Sequence, residues 1–428
     1  MVKPGYKQTE IGVIPQEWEV KKLKDIADFI GGGTPSRDKS EYWQGNIPWI
    51  SSSDISLNTI HSLNINRFIT ERAINESATQ ICPKDTILVV SRVGVGKIGI
   101  APTELCTSQD FTNIVLRKNN IEYVARALQP ILQSMVNMSQ GTSIKGITTD
   151  EVKNLAILIP PAEEQDRISE AILNAEKLVT SLEKQIYKKK AIKQGAMQEL
   201  LTGKKRLPGF GGEWETKTLR EISSEMVDGP FGSDLKTEHY TTERQVRIVQ
   251  LSNIGESGWN DANTKYTTFA HAAELSRCTV QPGAVLIAKM MPAGRAIICP
   301  SSEKGYILGS DVVKVIPNSS VDSRYLVYAT KSHFYLDQIA DDTQGSTRAR
   351  TSVSKLRKAA ILLPKKAEQV AIATVLSNMD AEIEALEQKC AKYRQVKQGM
   401  MQQLHTAVAN GHGCGAQRPL CGLTATPI

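Results

Sequence analysis

The chain lacks what most function classes require. Its seven cysteines are odd in number and form no C-x-x-C pair, so neither a disulfide framework nor a zinc site is expected. No apolar run approaches twenty residues and 1–10 carries no signal core, which points to a soluble, cytoplasmic protein. His405, His412, Cys414 and Cys421 mix ligand types near the C-terminus, but that stretch is Gly-rich and apolar-poor and reads as a disordered end. Catalytic signatures are missing as well. Ser91-Arg92-Val93-Gly94-Val95-Gly96-Lys97 resembles a damaged phosphate loop, with Ser91 where glycine is needed and Ile98 after the lysine. No G-x-S-x-G, H-E-x-x-H or dinucleotide fingerprint stands in a strand-to-helix context, and no Asn-Pro-Pro-aromatic tetrapeptide of amino-group methyltransferases is present. The six histidines are scattered. The expectation is a binding protein with no catalytic residue and no metal.

What is present is repetition. The stretch 163–201 returns within 368–405, and the matched positions keep an offset of 204 with no gap: Pro160 answers to Pro364, Glu164-Gln165 to Glu368-Gln369, Lys193-Gln194-Gly195 to Lys397-Gln398-Gly399. Each copy spaces its apolar residues by alternating threes and fours, the mark of a helix-pairing seam. The seam holds Ile168, Ile172, Ala175, Val179, Leu182 and Ile186 in the first copy, and Ile372, Leu376, Met379, Ile383, Leu386 and Cys390 in the second. Both then shift phase together, to Ile192, Ala196 and Leu200 and to Val396, Met400 and Leu404. Two rods of roughly 50 Å that pair antiparallel as a coiled coil follow.

The segments between the rods also match. Ile47–Ile50 leading to Asp54-Ile55 matches Arg247–Gln250 leading to Asn253-Ile254; Thr86–Ser91 matches Ala284–Lys289; Ser108-Gln109-Asp110 matches Gly309-Ser310-Asp311; Gln140–Ser143 matches Gln344–Thr347. Short β-rich runs set off by Gly, Pro and Asn predict mixed α/β (α+β) domains, with helices over Tyr123–Met138 and Ser323–Ile339. The reading is therefore two similar domains alternating with two long helices, pseudo-two-fold symmetric: 1–160, helix 161–206, 207–364, helix 365–405, and a tail 406–428. A length of 428 residues with 40% hydrophobic content supplies real cores, and a net charge of +7 permits a polyanionic partner.

The candidate binding residues lie on matching loops. Arg92 and Lys97 stand beside glycines that admit a phosphate, and Lys289 and Arg295 hold the same place in the second domain. Thr142, Ser143 and Lys145, with Ser346, Thr347, Arg348 and Arg350, form a second hydroxyl-plus-cation cluster per domain. Thr34, Ser36 and Ser233, in the Gly-rich turns, complete the DNA-binding set. Trp43 and Trp49 are expected in the core.

This ordered set resembles the specificity subunits of bacterial type I restriction-modification systems. The resemblance rests on Ile14–Trp18, Gly32–Ser36, Tyr42-Trp43 to Ile55, Asp228–Ser233, Pro160–Gln165 and Met197–Gly203, and spans residues 5–404. It implies two target-recognition domains, each reading half of a split asymmetric site in double-stranded DNA across a spacer set by the helices. Partners would be two modification (methyltransferase) subunits and the motor-nuclease restriction subunits. The methyl donor, ATP and Mg would sit on those partners, with no cofactor on this chain. One departure stands out: Leu201-Thr202-Gly203-Lys204-Lys205-Arg206-Leu207 after the first helix is replaced by His405-Thr406-Ala407-Val408 after the second, which bears on contacts between the C-terminal end and the N-terminal segment. The competing reading is a coiled-coil adaptor without DNA specificity, separable by the salt dependence of DNA affinity.

Overall fold

Both repeats fold as continuous helices, Ala162–Leu200 and Lys366–Ala409, in the computed structural model. The structure describes residues 2–56, 59–138, 146–256, 258–261, 263–290, 292–302, 304–341 and 350–409. Of the expected site residues, Thr142, Ser143, Lys145, Ser346, Thr347 and Arg348 lie outside the described residues, as does 410–428 of the tail.

The chain divides into two compact units at points the sequence did not suggest. One holds residues 1–182 and 389–428, the other 183–388, so each cut falls inside a long helix instead of at its ends. The physical reason is that each helix is amphipathic along its whole length, and its two halves bury their seams against different domain cores.

In the first unit, Ile168 and Ile172 of the first helix share a core with Met400, Met401 and Leu404 of the second, and Lys397 reaches Glu176 at 3.0 Å. The same core takes in the helix Ile121–Met138. One four-stranded sheet runs Ala27–Gly31, Phe111–Leu116, Ile87–Val90, Ile98–Ile100, all antiparallel. The other runs Phe68–Ile69, Ile47–Ile50, Leu105–Thr107, Ile81–Cys82, with Ile47–Ile50 parallel to Leu105–Thr107. A two-stranded ladder, Glu19–Lys22 with Ala156–Ile159, closes the domain where its chain enters and leaves.

The second unit repeats this plan. Ser223–Asp228, Val312–Pro317, Val285–Ala288 and Ala296–Ile298 form the first sheet in the same order. Lys265–Thr267, Val246–Val249, Tyr306–Leu308 and Thr279–Val280 form the second, with Val246–Val249 again parallel to Tyr306–Leu308 and Tyr240–Thr241 added at one edge. Glu215–Thr218 with Ala360–Leu363 closes it. Its helices run antiparallel: Lys190 meets Glu387 at 2.7 Å, while Lys193, farther along the first helix, meets Asp380, earlier on the second. Met197, Leu200 and Leu201 share a core with Ile372 and Leu376.

Most of the seam is buried. Ile172, Val179, Leu182, Ile372, Leu376 and Ile383 expose 9% or less of their surface. Ile168, Ile186, Met379 and Leu386 are half-buried. The helix expected over Ser323–Ile339 is two helices, Ser323–Ala329 and His333–Asp341. Thr330 and Ser332 turn their hydroxyls back onto the carbonyls of Val327 and Ala329, at 2.8 and 2.7 Å, and so end the first one.

Candidate nucleic-acid interface

The expected loops converge, separately in each unit, on one repeated framework of backbone hydrogen bonds. In the first unit, strand Ile87–Val90 runs into the loop 91–97, which turns on Gly94 and Gly96 at φ of +86° and +92°. Ser91 and Arg92 donate their amides to the Asp110 carbonyl at 2.8 and 3.2 Å, and Ile147 donates to the Ser91 carbonyl at 2.7 Å. Ser108 donates to the Ile50 carbonyl at 2.9 Å. In the second unit Lys289 donates to Asp311 at 2.9 Å, Thr351 to Lys289 at 2.8 Å, and Gly309 to Val249 at 2.8 Å. The Gly-rich turns press onto the same point: a Cβ on Gly32 would lie 1.9 Å from the Ser108 carbonyl oxygen, and one on Gly229 2.0 Å from that of Gly309. Glycine is required at both.

The side chains on this framework differ. Arg92 is exposed, and no partner for its guanidinium is found among the described residues. Lys97 is half-buried with its Nζ on the Ser52 carbonyl at 2.9 Å. Thr34 hydrogen-bonds Gln109 through its hydroxyl. Ser36 is exposed, and its carbonyl accepts from Trp43 Nε1 at 3.1 Å. Trp49 is buried, donates to the Gly33 carbonyl at 2.9 Å, and meets the Trp43 ring edge-on at 5.1 Å, so both tryptophans brace the Gly-rich turn.

In the second unit, Lys289 corrects its expected surface role. It is only 5% exposed and its ammonium is tied to Asp228, so it braces the loop from inside. Arg295, one residue past Gly294 as Lys97 is past Gly96, has a buried Nε without a hydrogen-bond partner. It borders an open cleft of about 550 Å³ floored by Leu235, Tyr240 and Ile248 and edged by Gln250, Ser252, Ser310 and Asp311. Arg350 is exposed and holds Asp311 at 3.1 Å, and Ser233 is exposed, 3.0 Å from its neighbour Asp234.

Sequence reading missed the residues that shape the loop after the central strand. Asp54 accepts from the Ser51 amide at 2.7 Å and is paired with Arg67; in the second unit Asn253 accepts from the Gln250 amide at 2.8 Å. Their shared place in the repeat, Asp54-Ile55 against Asn253-Ile254, was the available signal.

Chemically, these loops offer hydrogen-bond donors and cations on a backbone tied down by hydrogen bonds. No group of three or more His, Cys, Asp or Glu side chains that could hold a metal occurs among the described residues. Burial pushes the Cys82 and Cys106 thiols up to about 12 and about 11, which leaves them unreactive near neutral pH. No described helix is long and apolar enough to cross a membrane.

The family profile described as "Type I restriction modification DNA specificity domain" matches twice, over residues 15–192 and 213–392. The chain belongs to that family. The two matches fall on the two domain-plus-helix repeats, and each contains most of the hydrogen-bonded loops described above. The relatives it matches are named specificity subunits of type I restriction enzymes. The chain is 35% identical over 184 residues to the type I restriction enzyme MjaIX specificity subunit of Methanocaldococcus jannaschii, a match spanning 42% of this chain and 43% of that one. It is 23% identical to the MjaVIII specificity subunit of the same organism over 92% of this chain and 93% of that one. The fold matches the type I restriction-modification S subunit from M. genitalium with a TM-score of 0.55 at 13% identity, over 90% of this chain and 96% of that one. It also matches the HsdS subunit from Thermoanaerobacter tengcongensis with a TM-score of 0.50 at 18% identity, over 96% and 100%. Membership places the chain with the specificity subunits and not with the catalytic components of these systems.

Proposed function

We propose that the chain selects the DNA target of a type I restriction-modification complex, each unit reading one half of a split asymmetric site. The observation that carries this reading is the double match to the specificity domain, on two units whose loop frameworks share three corresponding backbone hydrogen bonds while their side chains differ. Equal frameworks with unequal side chains are what two different half-sites require, because backbone geometry sets the approach to the duplex and side chains select bases. Arg92, Lys97, Arg295 and Arg350 are the described cations for phosphates or guanine edges, and Thr34, Ser36 and Ser233 are the described hydroxyls of the set. The long helices serve as the ruler between the half-sites and as the dock for two modification subunits, to which the restriction subunits add in the cytoplasm. The methyl donor, ATP and Mg belong to those partners.

The test is a gel shift with the chain reconstituted with its modification subunit. Arg92→Ala and Arg295→Ala should each weaken binding by about 1–3 kcal/mol, with each change confined to one half of the target, and affinity should fall steeply with salt. Affinity for DNA that is absent or independent of salt would favour the adaptor reading instead.

A further inference from the structure

One groove is filled in the second unit and open in the first. In the second unit Glu368, 1% exposed, receives Arg206 Nε and Nη2 on its two oxygens at 2.6 and 2.7 Å and Trp214 Nε1 at 3.3 Å. The Arg206 guanidinium lies 5.5 Å from the Trp214 ring centre, Leu207 packs on the core, and Gly203 turns over the indole at φ +71°. Beside this, Gln369 Nε2 donates to the Pro364 carbonyl at 2.8 Å and its Oε1 accepts from the Asp322 amide at 2.9 Å.

The first unit carries the same parts without the occupant. Trp18 Nε1 donates to Glu164 Oε2 at 2.9 Å, Gln165 Nε2 to the Pro160 carbonyl at 2.9 Å, and the Asn120 amide to Gln165 Oε1 at 3.0 Å. Among the described residues no guanidinium meets Glu164; Arg167, which borders the same space, pairs with Glu163 at 3.2 Å instead. A groove of about 720 Å³ remains, lined by Trp18, Glu164, Ile168, Ala171, Met400 and Leu404. The repeat does not supply the missing group: Arg206 comes six residues after Leu200, and six residues after Leu404 the chain has Asn410. The next cation is Arg418, and proline follows it where leucine follows Arg206.

We infer that this groove receives an arginine–leucine segment contributed by a second protein, seated as Arg206-Leu207 is seated in the other unit. The chemistry of the occupant follows from the walls. A carboxylate already oriented by an indole selects a guanidinium, which can take both oxygens and stack on the ring; the isoleucine–methionine–leucine floor selects a branched apolar neighbour. A lone lysine or a purely apolar helix would leave one of the two features unmet.

The test uses the full chain and a labelled peptide of residues 199–210 followed by fluorescence anisotropy. Saturable binding is expected, weakened about tenfold or more when the peptide carries Arg206→Ala, and to a similar degree when the chain carries Glu164→Gln, which keeps the shape and removes the charge. The peptide substitution cannot unfold the protein, so it stands independently of the chain variant. A chain ending at Ala409 should bind the same peptide equally well. Absence of binding, or equal binding of the two peptides, would overturn the assignment. Binding only to the shortened chain would also overturn it, because residues 410–428 would then be the occupant.

Discussion

The two units solve the same pairing problem with different chemistry. In the first, Glu176 of one long helix is held by Lys397 of the other at 3.0 Å and by Arg126 at 2.8 and 2.9 Å. In the second, Asp380 is held by Lys193 and by the Tyr328 hydroxyl at 2.7 Å. Glu176 and Asp380 are equivalent in the repeat, and so are Lys193 and Lys397, so each unit takes the acid from one helix and the lysine from the other. The third partner comes from the domain and differs: a guanidinium in one, a phenol in the other. The duplicated helices thus fix the pairing, while the inserted domains vary around it.

This comparison can be broken first at Arg126, whose side chain is 2% exposed. Arg126→Ala should cost on the order of 3 kcal/mol, since it removes a bidentate partner from a largely buried carboxylate. Hydrogen exchange should then rise in 162–182 and 389–400 and stay unchanged in 183–200. Tyr328→Phe should cost about 1 kcal/mol and raise exchange only in the second unit, because one hydrogen bond is lost and the ring still packs.

The smallest effect is the difference in pH response. For Glu176, burial opposes ionisation, but the hydrogen bond and charge of Arg126, and then Lys397, hold its pKa below 4.5. Its contribution is present above 4.5 and is lost as pH falls through the lowered value, so Glu176→Gln should reduce the acid-side dependence of the first unit, to which the lowered carboxyls of Glu76 and Glu122 also contribute. Burial, followed by the Asp380 hydrogen bond, raises the Tyr328 pKa above 10. That contribution is present below 10 and is lost as pH rises through the raised value, so Tyr328→Phe should reduce the alkaline-side dependence of the second unit, to which the buried Tyr325 and Tyr335 also contribute. Thermal melts across pH of the wild type and both variants check the two signs.

Much of the fold was legible because both signals were periodic. The seam from Ile168 to Ile186 and its copy at 204 residues' distance announced paired rods, and the matched strand order announced paired domains. What could not be read were partners far apart in sequence. Lys289 looks like a surface cation until Asp228, 61 residues earlier, is seen beneath it, and Arg126 gives no sign of Glu176, 50 residues on. The compact units escaped for the same reason, since their borders lie within unbroken helices at 182/183 and 388/389. At the candidate interface the matching loops were legible through their glycines, which the sequence suggests admit a phosphate, while the split fates of Lys97, tied to Ser52, and Arg295, whose buried Nε has no partner among the described residues, depend on packing that no spacing encodes.

The central claim is that one polypeptide carries two separate DNA readers. Mapping methylated bases across a genome in which this chain is expressed with its modification subunit tests it most directly. The account predicts a target of two short defined halves separated by a fixed number of unspecified base pairs, with Arg92→Ala relaxing one half only and Arg295→Ala the other. A single continuous target, or two halves altered together by either substitution, would contradict it.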